Sequence, residues 1–570
     1  MSAAVLSSFL RMQQLLPFHK VNEELAALTG IRQYFHSQEE WERFRDELRS
    51  GKQWDEPRDR SEFGDFQTPL PLAVKIVELI AKDEPLPAVM IEPTCGKGHF
   101  IIAALQQFPS LQTIYALDIY EPWLWQTKFS VTDHFLQHPH RKPPAIILHQ
   151  RNIFDFDFEK LAIDIDPPLL ILGNPPWVTN AMLGSLDSSN LPEKSNFKQH
   201  EGIAAVTGKG NFDIAENITL MLLKAFHTIP GRLALLVKNS VIRNIVAEQH
   251  RHRYPIGEIG QYQINSLKEF EVKAEASLFT CRLDTVAAFT CRVHSFYKPS
   301  AMTGSFGWVE DKFVSNTTSY IQYRNIEGNS SLEWRQGLKH DCSPVMELER
   351  TGGSFLNARH EEFRLEADLV YGLLKSSDLQ QDVVSAARKY TIVTQQRPGA
   401  DTLYIREKFP ATWDYLHQHR ELFDNRRSSI YKNKPLFSIF GIGEYSFKPY
   451  KVAISGLYKS FRFALVLPHE GKPLMLDDTC YMLGFDDLGF AVFTFILLNS
   501  APARDFLASI TFADAKRTFT KEVLMRIDLL ALAKGLSASE LEQEIQRLNN
   551  VYGLQVGKER WTEYFEWLAG

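Results

Sequence analysis

"AVMIEPTCGKGHFIIAALQQF" (88–108) holds three things in order: a short apolar run, a turn with glycines at 96 and 98, and an apolar run long enough for a helix. A continuous apolar strand that turns on glycine straight into a helix is a unit of a parallel sheet covered on both faces. The pattern recurs downstream. The β-type runs "TIYALDI" (113–119), "AIILHQ" (145–150), "PLLILG" (168–173) and "RLALLVKN" (232–239) alternate with helical stretches such as "FDIAENITLMLLKAFHTI" (212–229), and "LPLAVKIVELIAKD" (70–83) precedes the first strand. The fold class expected is therefore α/β, a doubly wound sheet. Ligands of such sheets lie outside the carboxyl ends of the strands, so the residues that follow each strand are the candidates.

After the first strand, Glu92 precedes Thr94, Gly96 and Gly98. Glycines let the backbone approach a ligand closely. The third glycine of a dinucleotide fingerprint is missing, because position 101 is Ile. Glu92 would repel a phosphate, so a cationic ligand fits better. Asp118 ends the second strand, where it reads equally as the acceptor for a ribose diol or as a helix N-cap. Asn152 and Ile153 follow the third, suited to an adenine edge and face or to a turn followed by core. The fourth strand runs into "GNPPW" (173–177). Two prolines fix φ, lack N–H groups and leave rigid carbonyls. Asn174 adds an amide oxygen, and Trp177 offers a flat ring. Two acceptors and a stacking surface make a socket for an aromatic or amide amine.

Together these segments resemble a known family. "FGDFQTP" (63–69), "EPTCGKGHF" (92–100), "NPPW" (174–177), then "GKGNFDIAENITLMLLKAF" (208–226) and "GRLALLVKNS" (231–240) follow the motif order of the gamma-class S-adenosylmethionine-dependent amino-methyltransferases of DNA. The resemblance implies a Rossmann-like methyltransferase domain over 61–300 and a mixed α+β target-recognition domain over 310–530. A helical N-terminal extension (1–60) and a helical C-terminal tail (531–570) complete the chain. It implies S-adenosyl-L-methionine as cofactor, double-stranded DNA as partner and an adenine-specific N6-methyltransferase activity. The setting it implies is a restriction-modification or phage-defence system, with room for a separate restriction endonuclease or defence-system subunit, in the cytoplasm of a bacterium or archaeon. Carried over by position, Thr68, Pro69, Glu92, Thr94, Gly96, Gly98, Asp118, Ile119, Asn152, Ile153 and Asn174 hold the cofactor. The family more often has Asp where this chain has Asn152. Asn174 and Pro175, with Pro176 and Trp177, form the catalytic motif, and Phe270 in "KEFEVKAEASLF" (268–279) is a second aromatic for the target base or a core residue. Other readings remain: an enzyme acting on an RNA base, a protein glutamine or cytosine N4, and a DNA-binding subunit without turnover.

The rest of the chain bounds these readings. At 570 residues, two or three domains are expected. Five scattered cysteines with no C-x-x-C pair argue against a disulfide framework and a zinc site, and no metal is expected. No apolar run approaches the ~18–20 residues of a membrane span; "AVFTFILL" (491–498) reads as a buried strand or helix, and "MSAAVLSSFLRMQQLLPFHK" (1–20) as an amphipathic helix rather than a signal peptide. Residues up to about 60 read as charged and solvent-facing, with Ser37 and Glu40 set to cap a helix. The net charge of −6 gives no global basic signature, yet 425–462 carries eight Lys/Arg against the single acid Glu444. Arg426, Arg427, Lys432, Lys434, Lys448 and Lys451, interleaved with aromatics, are the candidate DNA contacts.

Overall fold

The apolar runs become strands of one sheet. In a computed structural model that describes residues 10–11, 13, 16–50, 64–178, 213–512 and 517–570, the first half of the chain reads β1 (Val89–Glu92), β2 (Thr113–Asp118), β3 (Ala145–Gln150), β4 (Leu169–Gly173), β5 (Gly231–Lys238), β6 (Gly257–Gln263), β7 (Ala276–Leu283), β8 (Thr290–Ser295), β9 (Lys298–Val309) and β10 (Lys312–Val314). The spatial order is β10-β9-β8-β6-β7-β5-β4-β1-β2-β3. Strands β1 to β5 are mutually parallel, and β7 is antiparallel between β5 and β6. Every residue of β1 and β4 is buried, which is why both read as unbroken apolar runs. The chain leaves β1 toward β2 on one side, while β4 pairs with β1 on the other. That reversal opens a crevice at the carboxyl ends of β1 and β4.

The helices of this half are α1 (Phe18–Thr29), α2 (Gln38–Arg49), α3 (Leu70–Ile80), α4 (His99–Gln107), α5 (Glu121–Gln137), α6 (Phe158–Ile163), α7 (Ile214–Phe226), α8 (Asn239–His252) and α9 (Ser266–Phe270). Ser37 caps α2 by accepting from Glu40 N at 3.1 Å, and Glu40 reaches back to His36 N at 2.6 Å. The charges of this segment stand on its exposed side, as expected, and its other side is buried. Tyr34, Phe35, Trp41 and Phe44 are at most 2% exposed, and Phe44 stacks on Trp125 of α5 with ring centroids 5.1 Å apart. Lys128 of α5 is buried among them, donating to Tyr34 O and lying over the Trp125 ring. Residues 16–50 thus pack into the same core as the sheet.

The chain divides into two units, Met1–Phe313 and Val314–Gly570. The second contains a five-stranded sheet built on the antiparallel pair Tyr450–Ser455 and Cys480–Phe485, and a six-stranded one that includes Glu347–Thr351, Val370–Leu374 and Lys389–Ile392. "AVFTFILL" is helical and wholly buried within Leu488–Asn499. The last helices belong to this unit: Tyr564, fully buried, shares a hydrogen bond of 2.8 Å with Thr494 Oγ1. Among the described residues no single helix is long and apolar enough to cross a membrane; one pair, Leu488–Asn499 and Ala501–Ile510, passes only jointly and is bent by 59°. The amphipathic helix expected over 1–20 and the helical expectation over 51–60 fall largely outside the described residues.

Candidate functional site

The crevice is a cleft of ≈ 970 Å³, solvent-open space included. Thr68, Glu92, Thr94, Gly96, Asp118, Ile119, Ile153, Asn174 and Pro176 line it, so five separate segments of the sequence meet there. Phe66, Gln67, His99, Arg151, Phe154, Ile214 and Ile218 also line it, and sequence reasoning missed them. For Gln67 the signal was present, one residue before Thr68 in "FGDFQTP"; for Arg151 and Phe154 it was not, since nothing local distinguishes a lining side chain from its neighbours.

The turn after β1 is held by hydrogen bonds that point its amides away from any anion. Cys95 N donates to Leu117 O and Gly98 N to Cys95 O, both at 2.8 Å. Gly96 N donates to Asp118 Oδ2 at 2.9 Å, and Lys97 N to Gln67 Oε1 at 2.9 Å. In phosphate-binding loops such amides converge on the ligand; here four in a row already have protein acceptors. Gly96 has φ +50°, and a Cβ there would lie 2.2 Å from Gln67 Oε1. Gly98 faces elsewhere: its φ is +73° and a Cβ would meet Thr127, so it serves packing on α5. Pro69 is the N-cap of α3 and lies behind Thr68, whose carbonyl is 2.7 Å from His99 Nδ1.

Glu92 is 1% exposed, and its Oε2 has no hydrogen-bond partner among the described residues. Burial, and then the nearby Asp118, push its carboxyl well above the usual range, opposed by the Ile101 N–H. A buried carboxylate with one oxygen unclaimed suits a cationic group. Asp118 accepts from Gly96 N and, through Oδ1, from Tyr120 N at 2.8 Å. It thus holds two loops in shape. Asn152 is a correction. It does not line the cleft, and its Oδ1 caps the following 3₁₀ turn by accepting from Phe154 N at 3.1 Å.

At the end of β4, Asn174 Nδ2 donates to Phe66 O at 2.7 Å. A carbonyl accepts only, so the amide orientation is fixed and Oδ1 faces the other way. That Oδ1 is buried and has no partner among the described residues. Among the described residues no donor reaches the Pro175 carbonyl. Thr94 Oγ1 donates to Asn174 O at 3.3 Å and ties the two strand ends together. Trp177 departs from expectation. It is 4% exposed, its Nε1 donates to Leu236 O, and Phe66 and Phe270 pack on it with centroids 5.4 and 5.0 Å away. It offers no open stacking face here. Phe270 does meet Trp177, from the end of α9. The "GKGNF" segment lies outside the described residues.

In the second unit the basic candidates separate into two kinds. Arg426 is pinned inward: Nε donates to Phe423 O, Nη1 to His340 O and Ser438 O, and its guanidinium lies 3.6 Å from the Tyr431 ring centroid. Lys451 is fully buried in its strand with Nζ donating to Lys448 O at 2.6 Å, and burial lowers its pKa from 10.5 to about 7. Lys448 pairs with Asp486. Arg426 and Lys451 are not free to contact DNA, whereas Lys448 is partly exposed. Arg427, Lys432 and Lys434 are exposed, and among the described residues no carboxylate pairs with them. No group of three or more His, Cys, Asp or Glu arranged to hold a metal exists among the described residues.

No family model matches the chain. A curated relative, the type II methyltransferase M.NspV of Nostoc sp., is 38% identical over 475 residues, covering 83% of this chain and 97% of that protein. Among solved structures, the type IIL restriction-modification enzyme MmeI in complex with DNA aligns over 89% of this chain and 76% of that one, at 12% identity and a TM-score of 0.47. The type IIG restriction endonuclease BpuSI aligns over 99% and 76%, at 13% identity and a TM-score of 0.38.

Proposed function

The chain belongs to the type II methyltransferases, and on that footing we propose that it transfers the methyl group of S-adenosyl-L-methionine to N6 of an adenine in double-stranded DNA. The transfer would be sequence-specific and serve a restriction-modification or phage-defence system, with a separate endonuclease as the natural partner. One observation carries the choice of an amine: the buried Asn174 Oδ1, without a partner among the described residues and oriented by the Phe66 carbonyl.

The cleft's donor set fits the cofactor. Glu92 would take its α-ammonium group, since an unclaimed carboxylate oxygen in a buried site needs a cation. Asp118, at the end of β2, would accept from the ribose hydroxyls, and Ile153 and Phe154 would border the adenine. When bound, S-adenosyl-L-methionine supplies a sulfonium methyl already activated for transfer. The protein's work is then alignment. Asn174 Oδ1 and the Pro175 carbonyl would accept the two N6 hydrogens. That draws the nitrogen lone pair out of conjugation with the ring and turns it toward the methyl group. No basic side chain is required beforehand, because the N–H becomes acidic only as the new N–C bond forms. The base has to leave the duplex to reach these acceptors, at a cost of a few kcal/mol. A Trp177 freed from its burial, together with Phe270, would offset part of that cost by stacking.

The test is incubation of the full chain with methyl-labelled S-adenosyl-L-methionine and DNA, followed by digestion to nucleosides. Label in N6-methyl-2′-deoxyadenosine is expected, and long-read sequencing of DNA from expressing cells should place it in one sequence context. Label in N4-methylcytosine alone, or in no base, would overturn the assignment.

A further inference from the structure

Gln67 is bound on both ends of its amide. Its Oε1 accepts from Lys97 N at 2.9 Å, and its Nε2 donates to Asp65 Oδ1 at 2.6 Å. The other carboxylate oxygen of Asp65 accepts from Trp123 Nε1 at 2.8 Å. An amide could face the loop with either end. A carboxylate accepts only, so Asp65 selects the orientation that leaves Oε1 toward Lys97. The adjoining Gly96 N donates to Asp118, so two successive amides of the glycine loop are drawn to acceptors on separate segments. The space a Gly96 side chain would need is filled by the Gln67 amide. The loop shape is thus imposed from the segment that precedes α3, and Trp123 of α5 anchors that segment in turn.

We propose that Gln67 and Asp65 are positioning residues for the cofactor: acting through the glycine loop, they hold the Gly96–Lys97 peptide in the conformation that leaves the cleft open to it. This rests on the reading of the cleft as an S-adenosyl-L-methionine site. The pair admits a polarity swap. In Gln67→Glu the new carboxylate faces that of Asp65. In Gln67→Glu combined with Asp65→Asn, the new amide NH2 donates to the new carboxylate, its oxygen still accepts from Trp123, and Lys97 N keeps an acceptor. These three hydrogen bonds are restored, and only the one between positions 65 and 67 runs in the reverse direction.

The experiment measures S-adenosyl-L-methionine binding by calorimetry, and the thermal midpoint, for the full-length wild type, Gln67→Ala, Gln67→Glu, Asp65→Asn and the double variant. Gln67→Ala and Gln67→Glu should each bind about tenfold more weakly, and the double variant within about threefold of wild type. In turnover KM should rise while kcat stays within about twofold. Wild-type affinity in Gln67→Ala, or a double variant no tighter than Gln67→Glu, overturns the proposal. A thermal midpoint that falls in step with affinity across the set overturns it as well, since the role would then be stability alone. Absence of binding by the wild type would instead overturn the cofactor reading beneath it.

Discussion

At the scale of the residue, Asn174 is the centre of the argument. A neutral side chain is sufficient where the task is to hold two hydrogens rather than remove one. Asn174→Ala should leave S-adenosyl-L-methionine affinity within about threefold of wild type, because the proposed contact that is lost is with the target amine, and should lower methyl transfer by at least about a thousandfold. Calorimetry and a single-turnover assay read the two effects separately; residual transfer within tenfold of wild type would remove the residue from the reaction. This site was legible because its residues follow strands, and strands of a parallel sheet announce themselves as apolar runs. Asn152 was legible only as a position. Its side chain had an equally good local use, capping the turn of Phe154, and a sequence does not say which acceptor wins. Trp177 was expected to present a stacking face; its burial depends on Phe66 and Phe270, each about a hundred residues away.

At the scale of the element, two segments depart from what their composition suggests. The helix Gln38–Arg49 carries charges on most positions, and only its spacing of aromatics hints at a buried side; the partners, Trp125 and Phe129, lie far along the chain. Phe44→Ala should therefore destabilise the protein by about 3–5 kcal/mol, seen as a lower denaturation midpoint. A loss below about 1 kcal/mol would mean that this segment is not part of the core. The strand Tyr450–Ser455 is covered on both faces, so Lys451, which looked like a surface cation in a basic window, is buried. Its pKa is about 7 folded against 10.5 unfolded. Between those values the unfolded chain binds more protons, so stability rises with pH from about 7 to 10.5, and below 7 the full penalty for protonating the buried amine applies. Lys451→Met should stabilise the protein at pH 6 by on the order of 2 kcal/mol, with the gain vanishing above pH 10. Thermal midpoints recorded against pH would show this, and a gain independent of pH would exclude the titration as its cause.

At the scale of the whole molecule, the two units share a division of labour in the proposed function. The first carries the acceptors and the cleft, and the second the exposed cations Arg427, Lys432 and Lys434. Arg426, pinned beneath Tyr431, anchors the backbone from which those cations project. Reversal of charge in Lys432→Glu with Lys434→Glu should weaken DNA binding and lower the slope of log affinity against log salt by about 2, since each phosphate contact contributes about one unit. Cofactor affinity, set in the other unit, should not change. An unaltered slope would place the DNA elsewhere on the surface. Sequence alone gave the basic window but not its sorting, because whether a cation turns outward depends on what covers the strand or loop that carries it.

The glycine loop has a last consequence, for selectivity among metabolites. Adenosine is common to S-adenosyl-L-methionine and to ATP, and any pocket that recognises the nucleoside alone would be occupied by the more abundant nucleotide. Here the amides of Cys95, Gly96, Lys97 and Gly98 already have protein acceptors, and in the proposed pose Glu92 would face whatever extends from the ribose with a buried carboxyl that only a cation stabilises in its charged form. Rejection of polyanions is thereby written into the backbone itself, and a competitive inhibitor of this cleft should carry its positive charge where ATP carries its phosphates.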